Sequence, residues 1–376
     1  MFPQHLVHYF VMRYTKPGDK VADFWAGTGT APFEACLFGR IGVGNELSPE
    51  ALTVMRAKLE PPRLADLCSY IGSAGERMRR KSKQEIDKLG IELGLDLCYH
   101  PKTLMEILKL KSILYEDFQD SNRIVKQCAN FVCALTLGIL HGDRPESLSI
   151  PMDSAKAISV NHIRQMQSLY PEKYKPSRYR SVLHSLISKL AKVFNDPIPR
   201  FSGKVYSKDA LDFEPRYEFK MIITSPPYIN VHTYAYDNRI RLWFLGRDYK
   251  EVHKKLFATE DLNRYLDCLV RCLKQMESHL GTPAACFLVL GDVKKNNDIV
   301  QLGELLAKRW IETSNTELRL HRIIVDPTTP GRRRYFNLGA RRGVTIERIL
   351  EFHKGRVVEK NVNIDWKTRP WASLEL

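Results

Sequence analysis

A turn that contains two glycines, placed between a short apolar strand pattern and a helix pattern, restricts the fold of this chain most. Residues 21–24 have the composition of a buried strand, residues 25–30 form the turn, and residues 31–38 suit a helix. A second strand pattern follows at 41–46, and a Ser-Pro pair then resembles the start of another helix. This alternation predicts the first half of a doubly wound α/β sheet.

The strand and turn patterns are interrupted in the middle of the 376-residue chain. We predict one half of the sheet domain in residues 1–60, a mostly helical insertion in 61–200, and the second half of the sheet domain in 201–376. Strand patterns at 318–325 and 344–352 predict a closing antiparallel pair. The two halves together are expected to form one sheet of about seven strands.

The charge balance indicates the class of partner. Lys and Arg number 58 against 43 Asp and Glu, which gives a net charge of +15. An excess of this size favours a polyanion, either nucleic acid or an anionic membrane surface. No apolar stretch is long enough to span a bilayer, and the N-terminus lacks a secretory signal pattern, so we expect no membrane association.

The cysteines indicate a compartment and argue against a structural metal. The eight cysteines form no C-x-x-C pair and no paired spacing of the kind that binds zinc. We therefore predict free thiols, a cytoplasmic location and no metal site. The hydrophobic fraction of 44% excludes a disordered chain, and the length makes a disulfide scaffold unnecessary.

The glycine turn and the acidic residue after it are each ambiguous when taken alone. The turn lacks the G-x-G-x-x-G spacing of dinucleotide folds and the G-K-[ST] of a P-loop, so it could be only a tight connection. Glu46 ends the second strand pattern about 20 positions later, where an acidic side chain can bind ribose hydroxyls. It could equally be a charge at the start of the next helix.

The sharpest motif is Thr-Ser-Pro-Pro-Tyr at 224–228, directly after the strand pattern at 221–223. Two consecutive prolines are stiff and present carbonyl acceptors in fixed directions. The tyrosine that follows offers a stacking surface. Doubly wound folds place their sites at the carboxyl ends of strands, so this loop is predicted to be catalytic.

Basic and aromatic clusters leave two interpretations open. The arginines at 332–334 and 341–342 are predicted to lie in a loop that either grips phosphates or is only exposed. The charged run at 77–83 is read first as a solvated helix face. His232, Tyr234 and Tyr236 either line the catalytic cleft or pack its floor.

Taken together, these motifs resemble the amino-methyltransferases of DNA, which use S-adenosyl-L-methionine (SAM) to methylate exocyclic nitrogens. The family's first motif is D-P-F-x-G-S-G-T. Here Asp23, Gly27, Gly29 and Thr30 match it, an aromatic fills its slot at Trp25, and phenylalanine replaces the proline. The S-P-P-Y form of the second motif resembles the cytosine-N4 branch. The resemblance covers the two sheet halves and implies a Rossmann-like SAM-methyltransferase fold.

The resemblance also implies a role for each candidate residue. Glu46 would bind the ribose of SAM, and Asp209 its adenine amino group. Ser225 and the Pro226 carbonyl would accept hydrogen bonds from the target amino group, Pro227 would stiffen the loop, and Tyr228 would stack on an extruded base. The residues implied around the methionine part of SAM are Phe2, Asp23, Phe24, Gly27, Gly29 and Thr30.

The resemblance implies site-specific DNA as the substrate and, by the habit of the family, a cognate restriction endonuclease as a partner. Adenine N6 remains an alternative target, as do an RNA base and a non-catalytic nucleic-acid-binding module. Cytosine-C5 enzymes need a cysteine nucleophile after a proline, and the chain has no Pro-Cys pair. The glycine spacing argues against a NAD-dependent dehydrogenase.

Overall fold

A computed structural model describes residues 3–153, 157, 159–194, 203–229, 233–295, 298–327 and 346–361 of the chain. Its strands are β1 Lys20–Asp23, β2 Ile41–Asn45, β3 Lys204–Tyr206, β4 Phe219–Thr224, β5 Leu280–Gly291, β6 Val293–Lys295, β7 Asp298–Val300, β8 Leu318–Pro327 and β9 Ile346–Lys354. Its helices are α1 Gln4–Tyr14, α2 Thr30–Leu37, α3 Pro49–Leu59, α4 Leu64–Arg80, α5 Lys88–Glu92, α6 Leu95–Cys98, α7 Pro101–Asp117, α8 Arg123–Ile139, α9 Val160–Leu169, α10 Pro171–Tyr174, α11 Val182–Val193, α12 Tyr234–Asp237, α13 Arg239–Phe244, α14 Tyr249–Lys255, α15 Leu262–Ser278 and α16 Leu302–Thr313.

Seven strands form one mixed sheet in the order β3-β2-β1-β4-β5-β9-β8. The first five are parallel to one another. β9 runs antiparallel to β5, and β8 antiparallel to β9, which confirms the predicted closing pair. The chain begins near the middle of the sheet, moves outward to β3, and returns to the other side of β1 as β4. This order confirms the predicted fold class, a doubly wound, Rossmann-like α/β sheet of the SAM-methyltransferase type.

The chain divides into two compact units. The sheet unit draws on residues 1–47, 199–232 and 257–366, and the helical unit on residues 48–198, 233–256 and 367–376. The sequence analysis grouped α3 and residues 233–256 with the sheet halves, whereas this division places both in the helical unit. The helical unit is thus assembled from separate stretches of chain.

The sheet is covered on both faces, as parallel sheets require. Alternate strand residues point to opposite faces. Val21 and Ile223 belong to the cluster that α1 and α2 complete, whereas Ala22 and Ile222 belong to the cluster that α15 and α16 complete. Because both faces are buried, the strands read as continuous apolar runs.

The helical unit has its own apolar core, built mainly from α3, α4, α7, α8 and α11. Trp243 of α13 is buried in it, and its indole Nε1 donates to Asp87 Oδ1 over 2.7 Å. Within the described part of the chain, none of the helices is both long enough and apolar enough to cross a membrane.

Candidate active site

The two sequence motifs leave the sheet from neighbouring strand ends. β1 and β4 pair in parallel, with Val21 opposite Met221 and Ala22 opposite Ile222. The glycine turn follows β1, and the Ser-Pro-Pro-Tyr loop follows β4. The strand order reverses between these two strands, and doubly wound sheets bind their ligands at such a point. The fold therefore brings the two predicted motifs together at one edge of the sheet.

A hydrogen bond joins the two motifs directly. Thr224 Oγ1 donates to Asp23 Oδ1 over 2.5 Å. The backbone N–H of Trp25 donates to Asp23 Oδ1 and to Thr224 Oγ1, over 3.1 Å in each case. Asp23 is only 2% exposed. The last residue of β4 thus fixes the turn that follows β1, a role for Thr224 that the sequence analysis did not assign.

The environment of Asp23 disfavours its charged form. The pKa of this carboxyl is raised to about 7, mainly by burial and to a lesser extent by the nearby charge of Glu46. The hydrogen bonds from Thr224 and Trp25 lower the pKa but only partly oppose the effect of burial. The Asp23 carboxyl is therefore poised to change its protonation state near neutral pH.

This pKa predicts a pH dependence of stability. The folded pKa of Asp23 lies above the ordinary value of 3.8, so the contribution of this group is full below about pH 4 and is lost as the pH rises through about 7. We expect the free energy of unfolding of Asp23→Asn to fall less between pH 5 and pH 8 than that of the wild type. The difference should be up to about 3 kcal/mol, because about two pKa units of the shift lie within this pH range, and chemical denaturation at both pH values measures it.

A matched control is Glu312→Gln, which removes one carboxyl from an exposed position on α16. The same pH dependence in the wild type and in Asp23→Asn would contradict the shifted pKa.

The glycine turn is held by the end of β2. The backbone N–H of Gly27 donates to Glu46 Oε2 over 2.7 Å. Gly27 and Gly29 have φ values of 54° and 82°, which L side chains rarely adopt. A Cβ added at Gly27 would have no atom within 4 Å, so there is open space beside the turn. The turn leads into the N-terminus of α2, the positive end of that helix.

Asn45 ties three strand ends together at this edge. Its Nδ2 donates to the carbonyls of Phe24 and Lys208 over 3.2 and 3.0 Å, and its Oδ1 accepts from Lys208 N over 2.9 Å. Glu46 and Asp209 therefore follow β2 and β3 along the same edge as the glycine turn. Asp209 is exposed, and its Oδ1 accepts from Leu211 N over 2.9 Å. The sequence analysis did not identify Asn45.

The residues predicted to bind a cofactor differ in how accessible their side chains are. The Phe24 side chain is fully buried and packs edge-on against Phe213, with ring centroids 4.9 Å apart. Any contact of Phe24 with a cofactor is thus limited to its backbone. Thr30 is buried at the first residue of α2. Phe2, His232 and the arginines at 332–334 and 341–342 lie outside the described residues.

A hydrogen bond from α15 holds the Ser-Pro-Pro-Tyr loop in place, and two acceptor groups of the loop are accessible to a substrate. Pro226 is buried, whereas Ser225 and Tyr228 are half-buried. The Pro227 carbonyl accepts from the hydroxyl of Tyr265, a buried residue of α15, over 3.0 Å. Among residues that the structure describes, neither the Ser225 hydroxyl nor the Pro226 carbonyl makes a hydrogen bond. These two groups remain able to accept hydrogen bonds from a substrate.

The Tyr265 contact predicts a loss of loop order on mutation. Tyr265→Phe removes the hydroxyl and leaves the Pro227 carbonyl without this donor, which costs roughly 1–3 kcal/mol. We expect kcat to fall about tenfold, while the affinity for the cofactor is kept. Steady-state kinetics and calorimetric titration with SAM measure the two quantities. Tyr115→Phe, at an exposed position of α7, is the control. An unchanged kcat in Tyr265→Phe would contradict a positioning role.

One group of side chains in the sheet unit contains possible metal ligands. Ligand atoms of His321, Glu351 and His353 all lie within 4.8 Å of one another. The two imidazole rings stack nearly parallel, 4.3 Å apart and at 15°, so their lone pairs do not converge on one point. Glu351 already accepts from Tyr14, Arg322 and His353. This network anchors α1 and β8 to β9, and it does not form a metal centre in this arrangement.

The aromatic residues Tyr234 and Tyr236, which follow the Ser-Pro-Pro-Tyr loop, belong to the helical unit. Tyr234 and Tyr236 of α12 are both exposed. The Arg239 guanidinium lies 4.2 Å from the centroid of the Tyr236 ring, and Tyr249 packs against the same ring edge-on.

Comparison with known proteins gives only distant likenesses. No protein-family model matches the chain, and no curated protein sequence matches it. Among solved structures, TrmN from Thermus thermophilus is 11% identical with a TM-score of 0.34, over 93% of this chain and 48% of that one. The chain thus spans about half the length of TrmN. The rRNA methyltransferase aviRa from Streptomyces viridochromogenes is 9% identical with a TM-score of 0.30, over 94% of this chain and 85% of that one. At this level of similarity the comparisons carry no argument about function. The fold class is assigned from the strand order, and any activity must be inferred from the site.

Proposed function

We propose that this protein is a SAM-dependent DNA methyltransferase that modifies the exocyclic N4 amino group of cytosine. The observation that carries the proposal is the hydrogen bond between Thr224 and Asp23. It couples a glycine turn suited to a cofactor with a Ser-Pro-Pro-Tyr loop suited to an amino group, at the point where the strand order reverses.

The residues at the sheet edge fit SAM. The open space beside Gly27 allows close approach of a ligand to the backbone. Asp23, the turn from Gly27 to Thr30 and the backbone of Phe24 would hold the methionine part, Glu46 the ribose, and Asp209 the adenine amino group. When bound, SAM supplies an activated methyl group on a positively charged sulfur. That activation makes a metal unnecessary for the transfer.

The loop residues act on the nucleophile. The lone pair of an aromatic exocyclic amine is delocalised into the ring, so the amine is a weak nucleophile. Hydrogen bonds from the amine to Ser225 Oγ and the Pro226 carbonyl would hold it in place and favour a tetrahedral nitrogen. Its lone pair would then point at the methyl group. Tyr228 would stack on the base, which must leave the duplex because its amino group is paired there.

The choice of DNA and of cytosine rests on the loop sequence and on charge. Serine at position 225 is the feature that favours cytosine N4 over adenine N6. The net charge of +15 suits a polyanionic substrate. Methylation of this kind would protect DNA from a cognate restriction endonuclease, which we propose as the biological partner.

The test identifies the methylated nucleoside. The purified chain is incubated with isotope-labelled SAM and long unmethylated genomic DNA, in which short recognition sites recur many times. The DNA is digested and analysed by mass spectrometry, with total RNA as a parallel substrate and heat-denatured protein as the control. Labelled N4-methylcytosine is the expected product. N6-methyladenine would overturn the choice of base, and a product in RNA alone would overturn the choice of DNA.

A further inference from the structure

A basic and aromatic loop stands out on the helical unit. The 170–180 loop, defined as residues 170–180 between α9 and α11, reads Tyr-Pro-Glu-Lys-Tyr-Lys-Pro-Ser-Arg-Tyr-Arg. It carries four cations and one acidic residue, whereas the whole chain has 58 basic and 43 acidic residues. Three tyrosines alternate with the cations. This local concentration of charge exceeds what the overall composition would give by chance, and the proposed function has not assigned it a role.

The loop is stiff and is anchored at its C-terminal end to α7. Two prolines, Pro171 and Pro176, restrict the backbone. Thr103 Oγ1 donates to the Arg180 carbonyl over 2.8 Å and accepts from Arg180 N over 2.9 Å. Just past the loop, the N–H of Val182 donates to Glu106 Oε2 over 2.8 Å. A loop held in this way loses little conformational entropy when it binds a ligand.

Three of the four cations face solvent. Lys173, Lys175 and Arg178 are exposed, and none makes an ion pair with a residue that the structure describes. The fourth, Arg180, has a structural role, since its NH1 donates to the Ser149 carbonyl over 3.0 Å. The loop therefore combines one internal arginine with three cations available to an external anion.

The tyrosines give this surface a fixed aromatic component. Tyr179 donates its hydroxyl to Glu106 Oε1 over 2.5 Å. The Lys102 ammonium lies 4.4 Å from the centroid of the Tyr179 ring, which adds a further cation beside the loop. Tyr170 is 56% exposed at the other end. The surface thus combines positive charge with aromatic rings, one of which is held by a hydrogen bond.

We propose that the 170–180 loop binds the sugar-phosphate backbone of duplex DNA. The proposal rests on the proposed function, because that function makes DNA the substrate. Lys173 and Arg178 are five residues apart, so they lie within about 18 Å of each other, close enough to contact neighbouring phosphates of one duplex. Phosphate contacts of this kind orient a protein on DNA without reading its sequence. An acidic protein fits less well, since lysine is depleted in protein interfaces.

The test compares two variants that lose the same charge. The loop variant carries Lys173→Ala, Lys175→Ala and Arg178→Ala. The control variant carries Arg271→Ala, Lys274→Ala and Lys308→Ala, at exposed positions of α15 and α16 in the sheet unit. Fluorescence anisotropy measures the binding of each full chain to a labelled non-cognate duplex over a range of salt concentrations. Thermal unfolding and SAM titration verify that both variants are folded.

We expect the loop variant to bind duplex DNA at least about tenfold more weakly at 0.1 M salt, with a salt slope that is lower by about 2–3. The control variant should keep the slope of the wild type. Equal losses in both variants, or no loss in the loop variant, would overturn the assignment. If the wild type itself binds no DNA, the proposed function fails together with this inference. If the wild type methylates DNA and the loop variant binds DNA normally, only this inference fails.

Discussion

Ser225→Ala is expected to lower the rate of methyl transfer about 100-fold while leaving SAM affinity unchanged. The Ser225 hydroxyl has no hydrogen-bond partner among the residues that the structure describes, so its removal leaves no buried group unpaired. The effect should therefore appear in kcat, because the lost contact holds the amine only as it reacts. Single-turnover assays with labelled SAM measure the rate, and calorimetry measures SAM affinity.

Ser207→Ala is the matched control, since this exposed serine follows β3 and has no assigned role. Full turnover in Ser225→Ala would show that the catalytic assignment is wrong. A loss of SAM binding in the same variant would instead place Ser225 in the cofactor site.

Asp23→Ala should abolish measurable SAM binding. The substitution leaves the Thr224 hydroxyl without its acceptor in a buried position, and it removes one of the two acceptors of the Trp25 N–H. A buried group left unpaired costs roughly 1–3 kcal/mol, so we expect the turn to lose its conformation and SAM affinity to fall at least about 100-fold. Isothermal titration with SAM measures the change, and circular dichroism verifies the fold.

Thr224→Val separates the cofactor turn from its link to the loop. Valine has a similar shape and keeps Asp23 in place but removes the hydroxyl that joins the two motifs. We expect Thr224→Val to retain more SAM affinity than Asp23→Ala and to lose turnover. Unchanged SAM binding in Asp23→Ala would contradict the assignment of the glycine turn.

The sequence predicts the sheet, and it places the two motifs of the candidate site at the ends of predicted strands. Short apolar runs next to turn residues predicted β1, β2, β4 and the β8–β9 pair. The two glycines predicted the turn, because few residues other than glycine adopt the backbone conformations of Gly27 and Gly29. These features depend on local sequence, and local sequence can be read without knowing the fold.

The tertiary partners could not be read in this way. Thr224 and Asn45 are ordinary strand residues until the strand order places them beside Asp23, Phe24 and Lys208. Tyr265 lies 38 positions from Pro227 in the chain, and only the fold brings its hydroxyl to the Pro227 carbonyl. Phe24 lies within the motif that the sequence predicts to bind a cofactor, yet its side chain, directly after β1, is buried in the core.

The order of the strands along the chain has a consequence for how this protein is made. Val21 pairs with Met221 across two hundred residues, so the two halves of the candidate site are synthesised far apart in time. The helix pairs of the helical unit join residues that are closer in sequence, and such contacts form sooner. We expect the helices of residues 48–198 to pack together while β1 still lacks β4, and the candidate site to be complete only after β4 has emerged from the ribosome. The helical unit itself is completed later, because residues 233–256 follow β4 in the chain.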